Sequence, residues 1–371
     1  MGQEGGSWPF FYGGKSRLSV KYHVGRKGVV DVGLFFIKDV TDALNRITGG
    51  RLSENWNDVY AGVNPYVVMK SSNLPGKAIM ETPGLVYGHP DKPLRKLAVV
   101  MTLTEQVIEL AAATGVDAVV AHHPIADAAS SGGVLLKTYL DLYGLSVFEL
   151  HEAFHGLHPG MAYIHGHVPF ITETACRGVP GRIYHIGQVF PEIRTLDDLL
   201  QRVLTFSGWD DESFLLEQEK RFKKNDGIHE TNVEVKGEIL LGRPDARVKK
   251  ILHIFPHTGF DILDLEEALK KHADIDTVLA SVSRVRKDHP LVQACDDLGL
   301  NFILGSSHAI EILENGVPLG RALQELLPGV EIVLFRQKVY SYPLDALGTR
   351  SLNHYGLKMS REHLLKPIQD E

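Results

Sequence analysis

Cysteine is nearly absent from this 371-residue chain: only Cys176 and Cys295 occur, with no CxxC spacing. That excludes a disulfide framework and a thiolate zinc or redox motif, and it favours a reducing, cytoplasmic setting. Long apolar runs are missing too; no window approaches eighteen apolar residues, so no membrane association is expected. Positive charge is in deficit, with Lys plus Arg at 39 against Asp plus Glu at 46. A net charge of −7 is the wrong sign for a protein that grips a phosphate backbone, so nucleic acid is not expected as a partner. The nucleotide and nucleophile fingerprints GxGxxG after a strand, GxxxxGK[ST], GxSxG and HExxH are also lacking.

Histidine is what the chain has in excess, 18 in all, with a concentration in HEAFHGLHPGMAYIHGH from His151 to His167. A neutral imidazole is both a metal ligand and a proton carrier near pH 7, so the positions of these residues matter.

The segment Lys96 to Ile125 reads as a βαβ unit. Leu97–Met101 is an apolar run of strand length, Thr104 caps a helix with Val107, Ile108, Ala111 and Ala112 on one face, Gly115 ends it, and Asp117–Ala121 is a second buried strand. His122, His123 and Pro124 then follow a strand's carboxyl end, where open α/β sheets place their chemistry. Helix Gly132–Tyr143 and strand Leu145–Leu150 lead to His151. Strand, helix and strand alternate again from Val248 to Phe335, with His308 and Glu311 after the strand at Asn301–Leu304. These patterns predict an α/β protein of two related domains with mixed or parallel sheets and a metal site in the interdomain cleft. The expected divisions are an N-terminal extension and insert at 1–80, a first α/β domain at 81–207 with parts of 305–371, a linker or surface excursion at 208–236, and a second half at 237–371.

Adjacent histidines in extended chain point in opposite directions, so His122 and His123 can serve two neighbouring ions, or one an ion and the other a substrate. Two residues four apart share a helical face, which fits His155 as a ligand beside His151; Glu152 can orient a ligand or carry protons. His308 and Glu311 form a His-x-x-Glu clamp. His122, His123, His155, His308 and Glu311 are therefore the expected metal ligands, and His151 and Glu152 the expected proton-handling residues. The donor set is nitrogen-rich, which suits one or two ions of zinc, iron, manganese, nickel or cobalt. The turn PHTGFD at 256–261 reads as turn chemistry rather than as an anion site, and His158, His165 and His167 as surface or supporting residues.

Several segments carry a resemblance: PGLVYGHPDKP (83–93), LAVVMTLTEQVIELAAATGVDAVVAHHPI (97–125), HIGQVFPEIRTLDDLLQRV (185–203), VKKILHIFPHTG (248–259) and LGLNFILGSSHAIE (298–311). In order and spacing the chain resembles the Nif-three-like dinuclear metal proteins, also labelled GTP cyclohydrolase I type 2 homologues. The resemblance implies two related α/β domains, a dinuclear site between them and ring-shaped homo-oligomers, here a dimer, trimer or hexamer. His122, His123, His151 and His308 match family histidines. His155 stands where the family has a ligating aspartate, Ile312 where it has a glutamate next to which Glu311 is the nearest carboxylate, and Thr102 where it usually has aspartate. Residues 61–82 do not align. The chain thus reads as a divergent member, a hydrolase using metal-activated water on a small polar molecule, by C–N or C=N ring opening or amide-type hydrolysis. Alternatives are phosphoester hydrolysis and a non-catalytic regulatory or chaperone-like metal binder.

Overall fold

The computed structural model describes residues 19–22, 30–53, 56–71, 78–125 and 136–365. The chain divides into two compact units. The first comprises Met1–Phe154 and Leu319–Phe335, the second His155–Pro318 and Arg336–Glu371. Both mix helices with sheets that hold parallel and antiparallel pairs.

In the first unit a five-stranded sheet runs in the order Glu331–Phe335, Lys96–Val100, Ala118–Ala121, Ser146–Glu149 and Gly84–Tyr87. The first four strands are parallel and the last is antiparallel to its neighbour. The sequence of the βαβ unit explains its local form. Ala118–Ala121 is buried at every residue, as a central parallel strand must be. The Thr104 hydroxyl accepts from Val107 N and starts the helix Glu105–Ala113, whose Val107, Ile108 and Ala111 turn inward. They join Ala98, Val100, Val119 and Val147 in one apolar core. Within the helix expected at Gly132–Tyr143, Leu136–Tyr143 is helical, and 132–135 lie outside the described residues.

In the second unit a six-stranded sheet runs His167–Glu173, Tyr184–Val189, Lys250–Ile254, Thr277–Val282, Asn301–Ser307 and Glu238–Leu241. Its three central strands, Lys250–Ile254, Thr277–Val282 and Asn301–Ser307, are parallel where they touch, and the outer strands are antiparallel. Alternation along these strands supplies two cores. Leu252 and Ile254 meet Leu265 and Leu291 of the helices Ile262–Lys271 and Pro290–Asp297. Ile251, Leu279 and Ile303 meet Leu196 and Leu199 of the helix Leu196–Ser207. That helix begins with a capping box, Thr195 with Asp198, a device that contributes about 1 kcal/mol.

The division between the units differs from the sequence expectation. The cut between units falls after Phe154 rather than near 207, because Tyr184–Val189 pairs with Lys250–Ile254 and carries 155–207 into the second unit. Within 208–236, Trp209–Lys223 is helical, with only Glu212 and Leu216 buried among its residues, which is why its apolar periodicity is faint. The strand Glu331–Phe335, within the C-terminal segment 305–371, pairs with Lys96–Val100 and belongs to the first unit's sheet. Apolar pattern marks a strand, but long-range pairing chooses its neighbour.

Candidate metal centre

His122 and His123 leave the end of Ala118–Ala121 on a bend rather than on extended chain, and so do not diverge as strand residues would. Their amides remain tied to the neighbouring strand end, His122 N to Val100 O and His123 N to Met101 O. His151 follows the end of the adjacent parallel strand Ser146–Glu149, separated from it by Leu150. The three rings gather in the first unit, with centroids 4.9 Å apart for His122 and His151, 5.6 Å for His122 and His123, and 6.0 Å for His123 and His151.

Each of the three rings is held by Nδ1 against an oxygen. His122 Nδ1 donates to the Leu150 carbonyl at 3.0 Å. His151 Nδ1 donates to Glu81 Oε1, also at 3.0 Å. His123 Nδ1 meets the Thr102 hydroxyl at 2.7 Å, a group able to accept in the same way. A carbonyl and a carboxylate accept only, so they fix the proton on Nδ1 and assign the lone pair of His122 and His151 to Nε2. This is how metal-binding imidazoles are customarily oriented, by an oxygen partner on the other ring nitrogen. Thr102, where the family usually has aspartate, is thus the partner of His123.

Glu81 is a candidate site residue that sequence reasoning missed. It ends the strand Ala78–Glu81, is 2% exposed, and lies within the stretch that did not align. Its carboxylate, His151 and Glu152 have ligand atoms within 4.8 Å of one another. A carboxylate so buried among imidazoles calls for positive charge, and a donor set of imidazole nitrogens with carboxylate oxygens fits a divalent transition metal. The chain therefore holds His/Glu groups able to bind a metal ion.

Around this cluster one more carboxylate is sunk in the first unit. Glu149, 3% exposed, accepts from Thr82 N at 2.6 Å and from Ile125 N at 3.0 Å. Burial pushes its pKa up to about 7 against the pull of these two donors.

His155 is exposed and is the first residue of the second unit, in the turn that continues from His151 rather than on a helix. In the second unit, His308 and Glu311 follow the strand Asn301–Ser307, and their ligand atoms also lie within 4.8 Å of each other. His308 is exposed and Glu311 buried. His257 of the PHTGFD turn stacks edge-on to His308, with centroids 5.4 Å apart, so that turn contributes a third polar residue beside the pair. Burial and the neighbouring His308 lower the His257 pKa. Asp261 of the same turn caps the helix Ile262–Lys271, as turn chemistry predicts.

The remaining histidines correct an expectation. His165 and His167 are not surface residues: they are 0% and 1% exposed and pack around His253, itself 0% exposed. His158 is half-buried and accepts from Gly160 N.

Among the described residues, no helix is long and apolar enough to cross a membrane. Residues 69–129, which include Glu81, Thr102 and both adjacent histidines, match the family model described as Duf34/NIF3 (NGG1p interacting factor 3). No curated protein matches the chain by sequence. Among solved structures, reduced HcgD from Methanocaldococcus jannaschii is similar at a TM-score of 0.50 and 14% identity, covering 82% of this chain and 99% of that one. TTHA1606 from Thermus thermophilus gives 0.47 and 14%, covering 83% and 99%. A Bacillus cereus protein related to NIF3 gives 0.44 and 13%, covering 82% and 97%. The first of these likenesses supports the fold alone. The family signature lies on the segment that carries the double histidine, and it supports a divergent NIF3-like member.

Proposed function

We propose that His122, His123 and His151 bind one or two divalent transition-metal ions through Nε2, that His155, His308 and Glu311 are metal ligands as well, and that the chain is a metal-dependent hydrolase of a small polar molecule. The observation that carries this reading is the anchoring of three clustered imidazoles by Nδ1 to oxygen partners. A bound ion would supply Lewis acidity, lowering the pKa of water and polarising a substrate oxygen.

The chain's own residues account for the rest. Glu81 holds the proton of His151 on Nδ1 and keeps Nε2 electron-rich; His151, first read as a proton carrier, is thereby assigned to the metal. Glu152, whose side chain is 32% exposed and whose Oε1 lies 3.6 Å from His151 Nδ1, stays within reach of solvent and can take or release a proton at its carboxylate. Ring opening at a C–N or C=N bond is the favoured class of hydrolysis, on the strength of the family resemblance.

Elemental analysis of the purified protein, followed by chelation and reloading with zinc, manganese, iron, nickel or cobalt, tests the reading. At least one ion per chain is expected, and hydrolysis of some member of a panel of cyclic amides, amidines and phosphoesters should disappear on chelation and return on reloading. Metal bound below one equivalent under every loading condition would remove the metal assignment; full loading without hydrolysis of the panel would remove the hydrolase.

A further inference from the structure

Glu149 ends the strand Ser146–Glu149 in the first unit, two residues before His151, and is shielded from solvent. Its two oxygens are used separately. Oε1 accepts from the amide of Thr82, the residue after Glu81, and Oε2 accepts from the amide of Ile125, two residues after His123. One buried carboxylate therefore fastens the backbone beside the residue that orients His151 and the backbone beside the adjacent histidines.

The three segments are remote in sequence: Glu149 is 67 residues from Thr82 and 24 from Ile125. Ser146–Glu149 is laddered to Gly84–Tyr87, with Glu149 beside Gly84, and to Ala118–Ala121, whose last pair is Glu149 with Ala121. Beyond that pair the chain carrying His122 and His123 bends away, and its later amide, at Ile125, is satisfied by Glu149. The geometry points to Glu149 as the positioning residue that sets the spacing of His122, His123, His151 and Glu81. This rests on the metal reading above, and it needs no ionisation change during turnover. Two backbone N–H groups ask for two acceptors, which a carboxylate supplies and a carboxamide does not: in Glu149→Gln one amide would meet an NH2 group, donor against donor.

The test compares the parent with Glu149→Gln and Glu149→Asp, each checked for folding by circular dichroism. Zinc and manganese affinity is measured by titration calorimetry, and the imidazole nitrogens of the metal-free proteins are read by NMR. The parent should bind, with His122 and His151 in the Nδ1–H form. Glu149→Gln should lose affinity by about 10- to 100-fold, as when a supporting partner of a ligand is removed, and its imidazoles should show averaged tautomers. Glu149→Asp, which keeps both acceptors on a shorter stem, should fall between the two and carries the comparison if the Gln variant does not fold. A parent that binds no metal would sink the metal reading itself. A parent that binds, beside variants with affinities within twofold of it and unchanged imidazole spectra, would sink the role of Glu149 alone.

Discussion

His122→Ala and His151→Ala should each weaken zinc or manganese binding by more than 100-fold, beyond the ~10- to 100-fold usual for loss of a supporting partner. Each change removes a nitrogen whose lone pair is fixed on Nε2 by an oxygen at 3.0 Å on the other side of the ring. Glu81→Gln should do less, because the carboxamide oxygen still accepts from His151 Nδ1 while the negative charge behind the ring is lost. The order parent, Glu81→Gln, His151→Ala is thus the expected ranking of affinities, measured by competition with a chelator of known strength. Equal affinities across the three would show that the ion, if bound, sits elsewhere.

The second unit should lose stability steeply below pH 6.5. His165, His167 and His253 are buried and His185, half-buried, joins them in an imidazole cluster on the sheet's strands and the turn before them. His167 Nε2 contacts His253 Nδ1 at 2.9 Å, and His253 Nε2 contacts Ser281 Oγ at 2.6 Å. Ser306 N donates to His165 Nε2 at 2.8 Å, which places the His165 proton on Nδ1 facing the Met161 carbonyl. Burial lowers His165 to about 4, with Arg202 adding to it, and His185 to about 4; burial reinforced by the neighbouring rings lowers His167 to about 3 and His253 well below its ordinary value.

A histidine whose folded pKa is depressed contributes stability that is complete above the unfolded value near 6.5 and is lost as pH falls below it, because the unfolded chain then binds the extra proton. Four such groups each give about 1.4 kcal/mol per pH unit. Glu314, in the same unit, is raised by burial and by Glu311 to about 8 and runs the other way, gaining stability as pH falls. Below 6.5 the balance is three groups against folding, on the order of 4 kcal/mol per pH unit. The slope holds between pH 6.5 and about 4, where His165 and His185 themselves titrate, so a unit at the lower end of ordinary stability, about 5–15 kcal/mol, should unfold within that window. Urea melts at pH 7.5, 6.5, 5.5 and 4.5, followed by a probe in the second unit, read the effect. Midpoints that stay level from 6.5 to 4.5 would mean these rings are solvated or charge-compensated.

Much of the fold was legible in the residues. The strands at Lys96–Val100 and Asn301–Ser307, the Thr104 cap and the strand-end positions of His122, His123 and His308 all follow from local apolar runs and turn residues. What was illegible depends on long-range pairing. Glu81 is 70 residues from the His151 it orients. Glu149 sits in what reads as one apolar strand, where a lone carboxylate looks like a solvated position and is instead fully engaged by two amides. The buried histidines of the second unit were hidden for a similar reason. His253 lies inside a strand, and a Cβ on Gly187 would come within 2.0 Å of His167 Nδ1, so only the folded packing reveals how closely these rings are enclosed.

The most direct measurement is anomalous diffraction from a metal-loaded crystal, recorded on either side of the ion's absorption edge. A peak at about 2.0–2.2 Å from Nε2 of His122, His123 or His151, with Nδ1 of each ligating ring still turned to its oxygen partner, is the expected result. An anomalous peak confined to other residues, with these three imidazoles turned away from it, would contradict the assignment of the centre.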